Sequence, residues 1–540
     1  MVDDRSVEVT SEEKLISIDL SAEQPVCRAT MVRAGRAERL LLAGAILAAL
    51  VLLVLPLYQT TLRHSVLPNE GWNAFHAIRL AAGLPLYPGV DELIVNNYPP
   101  LSFVVLAPLG QWLGDQVLAG RVLTLLSMLL TALLMARLIR VRTGAGLVGW
   151  FMVAYVLGFE ASKHVIRFGV NDPQWLGHLL MTAGLCLLLT GGSVRDARSA
   201  GRVLAAALLV LAGGLVKHSL LAVPLAVPLW LAIYDRRALI LWLIGGGLFG
   251  LLSLAVAELV FPCFLASVLG IETGRGMDMA RLPGILLPQL AHLVPALAIA
   301  VWGFWRYRRA DIAFTLIYAA VALLVGAFFL AGSGVSDNVL YDINIAATLG
   351  AGLALGAAAA DHPADRVGAA RVVPLGMAAL LVVIAWPALE IVRDWPEPWH
   401  RLERETEASA LDIATVARVP GAAVCETPSL CYWAGKPFLL DMFNIGERLR
   451  AGSIDAESVV ARLRDHRVQL VQLERAAGPG RDAYERLWGG LPPALLDRWL
   501  EGYIVVETRG NGRVFMRPAS AGEGVAEPTA DSPAPGGARP

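Results

Sequence analysis

Residues 67–110 read LPNEGWNAFHAIRLAAGLPLYPGVDELIVNNYPPLSFVVLAPLG. This stretch follows a first hydrophobic segment, Leu40–Leu57, and precedes a long series of further ones. Its front is too polar to sit in hydrocarbon, and its back is too apolar for an ordinary loop. Glu70, Asp91 and Glu92 stand beside Trp72, Phe75, Tyr87 and Tyr98. The Tyr98-Pro99-Pro100 turn then opens the apolar run Leu101–Leu113. A long ordered loop against a membrane face is costly to order, and such loops concentrate function.

The surroundings fix what kind of loop this is. The chain has 540 residues, 56% hydrophobic and only 17% charged, with a mean hydropathy of +0.58. That composition belongs to a polytopic membrane protein. A net charge of −1 gives no footing for a nucleic-acid partner. The five cysteines show no metal-ligand spacing. Cys425 and Cys431 could form a disulfide only if their segment lies outside the cytoplasm. Residues 1–38 are polar and mixed in charge, and read as a disordered cytoplasmic tail without a cleavable signal.

Leu40–Leu57 supplies about 18 apolar residues, enough to cross a bilayer. Arg28, Arg33, Arg36 and Arg39 precede it, so the N-terminus is expected inside and the 59–116 loop outside. Leu101–Leu113 has about 13 residues, short of the roughly 20 a crossing needs. It is read as a juxtamembrane helix along the outer face. With that choice, spans fall at about 117–136, 145–160, 173–191, 203–216, 219–234, 238–260, 284–304, 312–331, 341–360 and 372–390. The Arg137/Arg140/Arg142, Arg195/Arg198/Arg202, Arg236/Arg237, Arg306/Arg308/Arg309 and Arg366/Arg371 clusters then face inward. The expectation is a mainly α, polytopic bundle of about eleven spans over 39–392 in an inner (plasma) membrane. The pair 203–216 and 219–234 is its shortest.

After a Trp/Pro-rich interface, Asp394-Trp395-Pro396-Glu397-Pro398-Trp399, residues 400–518 read as a small extracytoplasmic α/β domain. Helical period covers Glu403–Arg418, Ala456–His466 and, with a break at Gly489–Pro493, Ala483–Leu500. Strands are expected at Ala422–Glu426 and Val468–Leu473, with a hairpin of Tyr503–Thr508 and Arg513–Arg517 around Gly510-Asn511-Gly512. The Pro/Gly/Ala-rich residues 519–540 read as a disordered tail.

Ionisable groups collect on the outer side of this topology. Loop one offers Glu70, Asp91 and Glu92; loop two Glu160, Lys163, His164, Arg167 and Asp172; loop three Lys217 and His218. Glu272, Arg275, Asp278, Arg281, Asp337 and Asp342 follow in later loops. Charges near hydrocarbon are costly and mark functional sites. Carboxylates beside Arg and Lys suit one reaction: attack of an acceptor hydroxyl on a sugar carried by a lipid phosphate. A carboxylate takes the hydroxyl proton, and Arg or Lys holds the phosphate as charge develops. A phosphate leaves unprotonated, so no second carboxylic acid is required. Glu70, as the base, and Asp172, assisting or orienting, are the candidate catalytic carboxylates. Tyr98, Lys163, Arg167, Lys217, Asp91 and Arg121 are the candidate substrate contacts. Each also has a plain structural reading: Asp172 as a helix cap before Pro173, the cations as snorkelling side chains, Tyr98 as part of an aromatic belt. The histidines read as structural, and nothing has a zinc spacing, although acidic outer loops would permit a divalent ion.

Three features resemble the GT-C superfamily of membrane glycosyltransferases, such as protein O-mannosyltransferases and lipid A aminoarabinose transferases. Asn69-Glu70-Gly71-Trp72 leads into Ala77-Ile78-Arg79-Leu80 just after the first span. Asn97-Tyr98-Pro99-Pro100-Leu101 opens an apolar helix, and Asn171-Asp172-Pro173 stands at an outer span start. The resemblance covers roughly residues 40–200 by motif and the rest by layout. It implies a polyprenyl-phosphate sugar donor, a lipid, glycan or protein acceptor, and membrane lipids as surroundings. Relatives commonly read Asp-Glu in the first loop, with the Asp as base; this chain has Asn69-Glu70. The role therefore passes to Glu70, unless the register is offset or the chain is not an active transferase. On the first of these, Glu70→Gln should abolish transfer and leave the protein folded. The rival readings are a lipid-linked glycan transporter or flippase, and a non-catalytic glycolipid-binding scaffold.

Overall fold

A computed structural model describes residues 35–89, 92–164, 167–191, 197–272, 276–361, 366–474 and 490–519. The membrane part begins with α1 (Arg36–Thr60), α2 (Pro68–Ala81), α3 (Leu101–Leu113), α4 (Gln116–Thr143), α5 (Gly146–Lys163), α6 (Gln174–Leu189) and α7 (Ala197–Gly214). It continues through α8 (Ala222–Tyr234), α9 (Arg236–Val260), α10 (Phe264–Glu272), α11 (Leu282–Tyr307), α12 (Ala310–Leu330), α13 (Tyr341–Ala360) and α14 (Arg366–Arg393). Each of the eleven expected spans coincides with one helix. Seven helices are long and apolar enough to cross a bilayer on their own. Of the other four, α6, α7 and α8 are shorter apolar helices, and α5 ends on the polar Glu160 and Lys163.

Burial orders the bundle. The span ending at Ala360 is 89% buried along its apolar window, whereas α9 is 11% buried. Helix α13, rich in Ala and Gly, is therefore the central post; its small side chains let α4, α5, α11 and α12 approach closely. Helix α9 presents Leu248, Leu251, Leu252 and Leu259 outward, as a lipid-facing helix does. Local signals set the ends: Asp115 caps α4 by accepting from the Val117 and Leu118 N–H groups at 2.8 and 3.1 Å, and Asp235 caps α9 in the same way.

Helix α3 packs on α2 and α4, and Leu101 N–H bonds the Leu215 carbonyl at 3.1 Å. Residues 67–110 thus form two short helices, α2 and most of α3, lying over the end of the bundle where α4 and α6 begin.

The C-terminal part contains α15 (Glu397–Arg418), β1 (Ala423–Cys425), α16 (Pro428–Trp433), α17 (Met442–Arg450), α18 (Ala456–Asp465), β2 (Leu470–Leu473), α19 (Pro493–Trp499), β3 (Tyr503–Thr508) and β4 (Val514–Pro518). The sheet order is β1-β2-β4-β3. Strands β1 and β2 are parallel, with Val424 opposite Val471, and the crossover runs through α16, α17 and α18. The β3–β4 hairpin carries an irregularity between Val505 and Glu507. Helices α16 and α17 have no counterpart in the sequence reading; at six and nine residues they are too short to show a period. The part of the expected helix before the break, from Ala483, lies outside the described residues, as does Gly489; residues 490–492 are not helical, and the part after the break is α19.

This domain is seated on α2. A Cβ on Gly71 would lie 2.1 Å from Ser429 N and 2.5 Å from the Pro428 carbonyl carbon, so only glycine lets the two backbones meet. Phe75 stacks on Phe438 with centroids 4.8 Å apart. Trp72 Nε1 donates to Asp441 Oδ2 at 2.8 Å. Tyr432 Oη accepts from Gln116 N–H at 2.7 Å, and Trp433 Nε1 donates to Asp115 Oδ2 at 3.1 Å. Cys425 and Cys431 are bridged, pinning the end of β1 to α16.

Candidate active site

Between the end of the bundle and the C-terminal domain lies a cleft of about 970 Å³, open solvent at its mouth included. The bundle contributes Arg167, Lys217 and His218, the end of the first loop contributes Tyr98, and the segment before α13 contributes Ser336 and Asn338. The first loop adds Asn69, Trp72 and Asn97, and the C-terminal domain adds Glu426, Asp441 and Asn444.

One wall is cationic. Lys217 follows α7 and Asp172 precedes α6. Lys217 Nζ lies 3.1 and 3.2 Å from the two Asp172 oxygens and 3.0 Å from Gln174 Oε1. It also stands 5.2 Å from the centre of the Tyr98 ring. Asn338 Nδ2 and the Gln174 N–H complete the Asp172 carboxylate at 3.2 and 3.0 Å. Burial opposes charge on Asp172, but Lys217, the Gln174 N–H and Arg167 outweigh it and hold the carboxyl below its ordinary range. Burial likewise opposes charge on Lys217, and Asp172 outweighs it, so the ammonium titrates above its ordinary range. The pair is therefore ionised at neutral pH, with Lys217 on the cleft. Arg167 is placed by Asp337, whose Oδ1 accepts from Nε at 2.7 Å; Asp337 Oδ2 lies 2.9 Å from His164 Nδ1.

Glu70 is arranged differently. Its carboxylate is fully buried, and Arg121 grips it in a fork: Nε to Oε1 at 2.7 Å and Nη2 to Oε2 at 2.8 Å. The Asn171 N–H adds to Oε1 at 3.1 Å and the Val66 N–H to Oε2 at 3.0 Å. Arg121 spends its remaining donors on the carbonyls of Gln59, Thr60, Leu62 and His64 at 2.6–3.3 Å. Both residues are locked into the joint between α1, α2 and α4, and neither lines the cleft. It is Asn69, half-buried, that does. Helix geometry gives the reason: neighbouring residues point about 100° apart, so when Asn69 faces the cleft Glu70 turns beneath α2.

The structure thus brings Tyr98, Arg167 and Lys217 together on the cleft, with Asp172 directly behind Lys217. It sets Glu70 and Arg121 apart as a sealed pair. Lys163, half-buried at the end of α5, is not on the cleft. Asp91 and Arg275 lie outside the described residues, as does the side chain of Glu272, and Glu92 is exposed. Among the described residues no three His, Cys, Asp or Glu side chains gather as a metal site.

Sequence reasoning missed Asn338, Glu426, Asp441 and Asn444. Asp441 is the N-cap of α17, accepting from Asn444 N–H at 3.0 Å. Glu426 follows directly on β1, and the carboxyl end of a parallel strand is where α/β folds present binding groups. That placement was the only signal available for it, and the strand was recognisable.

No family model matches the sequence, and no curated protein matches it. Among solved structures, the fold superposes on ArnT from Cupriavidus metallidurans bound to undecaprenyl phosphate, with a TM-score of 0.57 and 16% identity over 87% of this chain and 97% of that one. The apo state of the same protein gives 0.59 over the same shares. The archaeal oligosaccharyltransferase AglB from Archaeoglobus fulgidus, in complex with an inhibitory peptide and a dolichol-phosphate, gives 0.50 at 12% identity over 80% of this chain and 69% of that one. The chain has the polytopic, mainly helical fold of these structures. Among the structures that share it are ArnT, the lipid A aminoarabinose transferase, and the oligosaccharyltransferase AglB.

Proposed function

We propose that this protein is a membrane glycosyltransferase that moves a sugar from a polyprenyl-phosphate donor to an acceptor hydroxyl on the extracytoplasmic side. The observation that carries this reading is the cationic wall: Lys217 and Arg167, each set by its own carboxylate, face one cleft between the bundle and the C-terminal domain. A phosphate leaving group gains negative charge as the glycosidic bond breaks, and fixed cations in a poorly hydrated site oppose that charge without reorganising. Tyr98 beside Lys217 offers an aromatic face for sugar or isoprenoid. The lipid tail would leave along the apolar surface of the bundle.

In this reading Asp172 orients Lys217 and does not itself meet substrate. Glu70 is a positioning residue: through Arg121 it ties α2 to α1 and α4, and so fixes where Asn69 and Trp72 sit. The side of the membrane is supported by two facts. The Cys425–Cys431 bridge suits an oxidising compartment. Arg142 and Arg309, which share Asp311 at the opposite end of the bundle, suit the cytoplasmic face. ArnT and AglB are solved with undecaprenyl phosphate and dolichol-phosphate, which makes such lipids the first donors to try.

The test is turnover by the purified full-length protein in detergent, using radiolabelled sugars on undecaprenyl phosphate and an envelope extract as acceptor. Label transfer by the wild type, lost in Lys217→Gln, is the expected result. Binding of the lipid without sugar release from any donor would overturn the assignment in favour of a glycolipid-binding scaffold.

A further inference from the structure

A transfer of this kind needs a carboxylate at the acceptor side of the cleft, and among the described residues of the first loop none lines it. The first-loop residues that line the cleft, Pro68, Asn69, Trp72, Asn97 and Tyr98, carry no carboxylate, and the amide of Asn69 cannot take a proton. Glu70 holds Arg121 with both oxygens, and Asp172 holds Lys217 with both of its own. Of the carboxylates lining the cleft among the described residues, Asp441 is buried and engaged as a cap. Its Oδ2 accepts from Trp72 Nε1 and Asn444 Nδ2 at 2.8 and 2.7 Å, and its Oδ1 from the Asn444 N–H. The other is Glu426.

We infer that Glu426, from the C-terminal domain, is the catalytic carboxylate that takes the acceptor proton in place of a first-loop acid. Four observations converge on it. Glu426 and Asn69 line the same cleft, and they meet again in the smaller cavity beside it, with Pro68, Gly334, Met442 and Phe443. Glu426 is half-buried, so it is reachable from the cleft yet partly withdrawn from water. Its carboxylate is aimed: Oε2 accepts from the Glu474 N–H at 2.7 Å, and its own N–H bonds the Gln472 carbonyl at 2.9 Å. Its backbone is anchored on both sides, by the Cys425–Cys431 bridge and by the close approach of Pro428 and Ser429 to Gly71. That last contact ties the position of Glu426 to the first turn of α2, where Asn69 sits.

The inference rests on the glycosyl-transfer reading. The acceptor O–H proton passes to the Glu426 carboxylate as the acceptor oxygen bonds the anomeric carbon of the sugar. The bond from that carbon to the phosphate oxygen breaks, and its electron pair leaves on the lipid phosphate beside Lys217 and Arg167. The cleft is then divided by charge, with cations on the bundle wall for the leaving group and the acid on the domain wall for the acceptor. The C-terminal domain is part of the machinery on this account, so the seam at Gly71 sets catalytic geometry.

The experiment compares wild type, Glu426→Gln, Glu426→Asp, Asn69→Asp and the double variant Asn69→Asp/Glu426→Gln in the labelled-donor assay. Thermal midpoints and binding of undecaprenyl phosphate are recorded in parallel. Glu426→Gln keeps an oxygen for the Glu474 N–H, so its midpoint and lipid binding should match wild type while kcat falls at least a hundredfold. Glu426→Asp should retain a measurable fraction and an acid limb in its kcat profile against pH, which Glu426→Gln should lack. The double variant should recover at least tenfold over Glu426→Gln, because Asp at position 69 faces the same space. An active wild type with Glu426→Gln equally active overturns the inference and leaves the transferase reading standing. A wild type inert on every donor overturns both. If Glu426→Gln lowers the thermal midpoint, the double variant decides: recovery of turnover without recovery of the midpoint supports the catalytic role, and no recovery counts against it.

Discussion

Two buried acid–base pairs stand at the same end of the bundle, and they differ in one respect. Glu70–Arg121 is closed: every carboxylate oxygen and every guanidinium nitrogen is met by protein, mostly by backbone. Asp172–Lys217 is open on one side, with Lys217 lining the cleft beneath Tyr98. The first pair is a rivet through three elements; the second holds a charge where a ligand can reach it. Residue type and proximity to the membrane do not separate the two. Access does.

The largest expected effect comes from breaking the rivet. Glu70→Gln leaves Arg121 buried without its counter-charge, which costs about 3–5 kcal/mol. Thermal unfolding in detergent should show a clear fall in midpoint, and a double replacement, Glu70→Met with Arg121→Met, should recover most of it. A Glu70→Gln protein of normal midpoint that merely lost turnover would erase the distinction between the pairs. Next comes Lys217→Gln, for which turnover should drop about a hundredfold or more, in line with removal of a preorganised charge-stabilising donor. Its loss of stability should be the smaller of the two, because water from the cleft can reach Asp172.

Gly71→Ala sharpens the comparison from the other wall. The added methyl would press into Pro428 and Ser429, and such overpacking costs about 1–3 kcal/mol. Limited proteolysis should detect earlier release of the C-terminal domain, with the bundle intact.

The smallest effect is a slope in pH. His76 is fully buried against Trp72 and Phe103, with Nε2 3.1 Å from the Val95 carbonyl. Burial first, and Arg79 second, push its pKa down to about 3. His64 is pushed down to about 4 by burial and then Arg121. In both the unfolded chain binds the proton more readily, so stability is full above about pH 6.5 and declines as pH falls toward the folded values. Each ring contributes at most about 1.4 kcal/mol per pH unit in that window. In the Asp172–Lys217 pair, Asp172 has the same sign as the histidines but acts at lower pH, and Lys217 has the opposite sign. Asp172 adds stability above the ordinary carboxylate range, lost only as pH falls through its depressed value. Lys217 adds stability below the ordinary lysine range, lost only as pH rises through its raised value. Thermal midpoints between pH 5 and 8 should therefore track the histidines and be flattened by His76→Gln.

How much was legible from sequence differs between the two walls. The eleven hydrophobic segments, the shortness of the apolar helix Leu101–Leu113 and the α/β content after residue 400 follow from composition and period, which are local properties. Tyr98, Arg167, Asp172 and Lys217 were legible as charged or aromatic residues at span ends, where burial is costly enough to demand a reason. Glu70 was legible for the same reason and misleading for the same reason: an acid next to hydrocarbon must be paired, and a sequence does not say with what.

What the sequence determined by itself is the bundle, because hydrocarbon admits only helices that satisfy their own backbone groups. What only the tertiary structure decided is which charges are sealed and which are reachable. That depends on a seam between residues more than three hundred positions apart, Gly71 against Ser429, where the absence of one side chain lets the C-terminal domain settle over α2. Long-range contact of that kind leaves no local period in the chain, so the domain wall of the cleft, Glu426 included, emerges only when the fold is assembled.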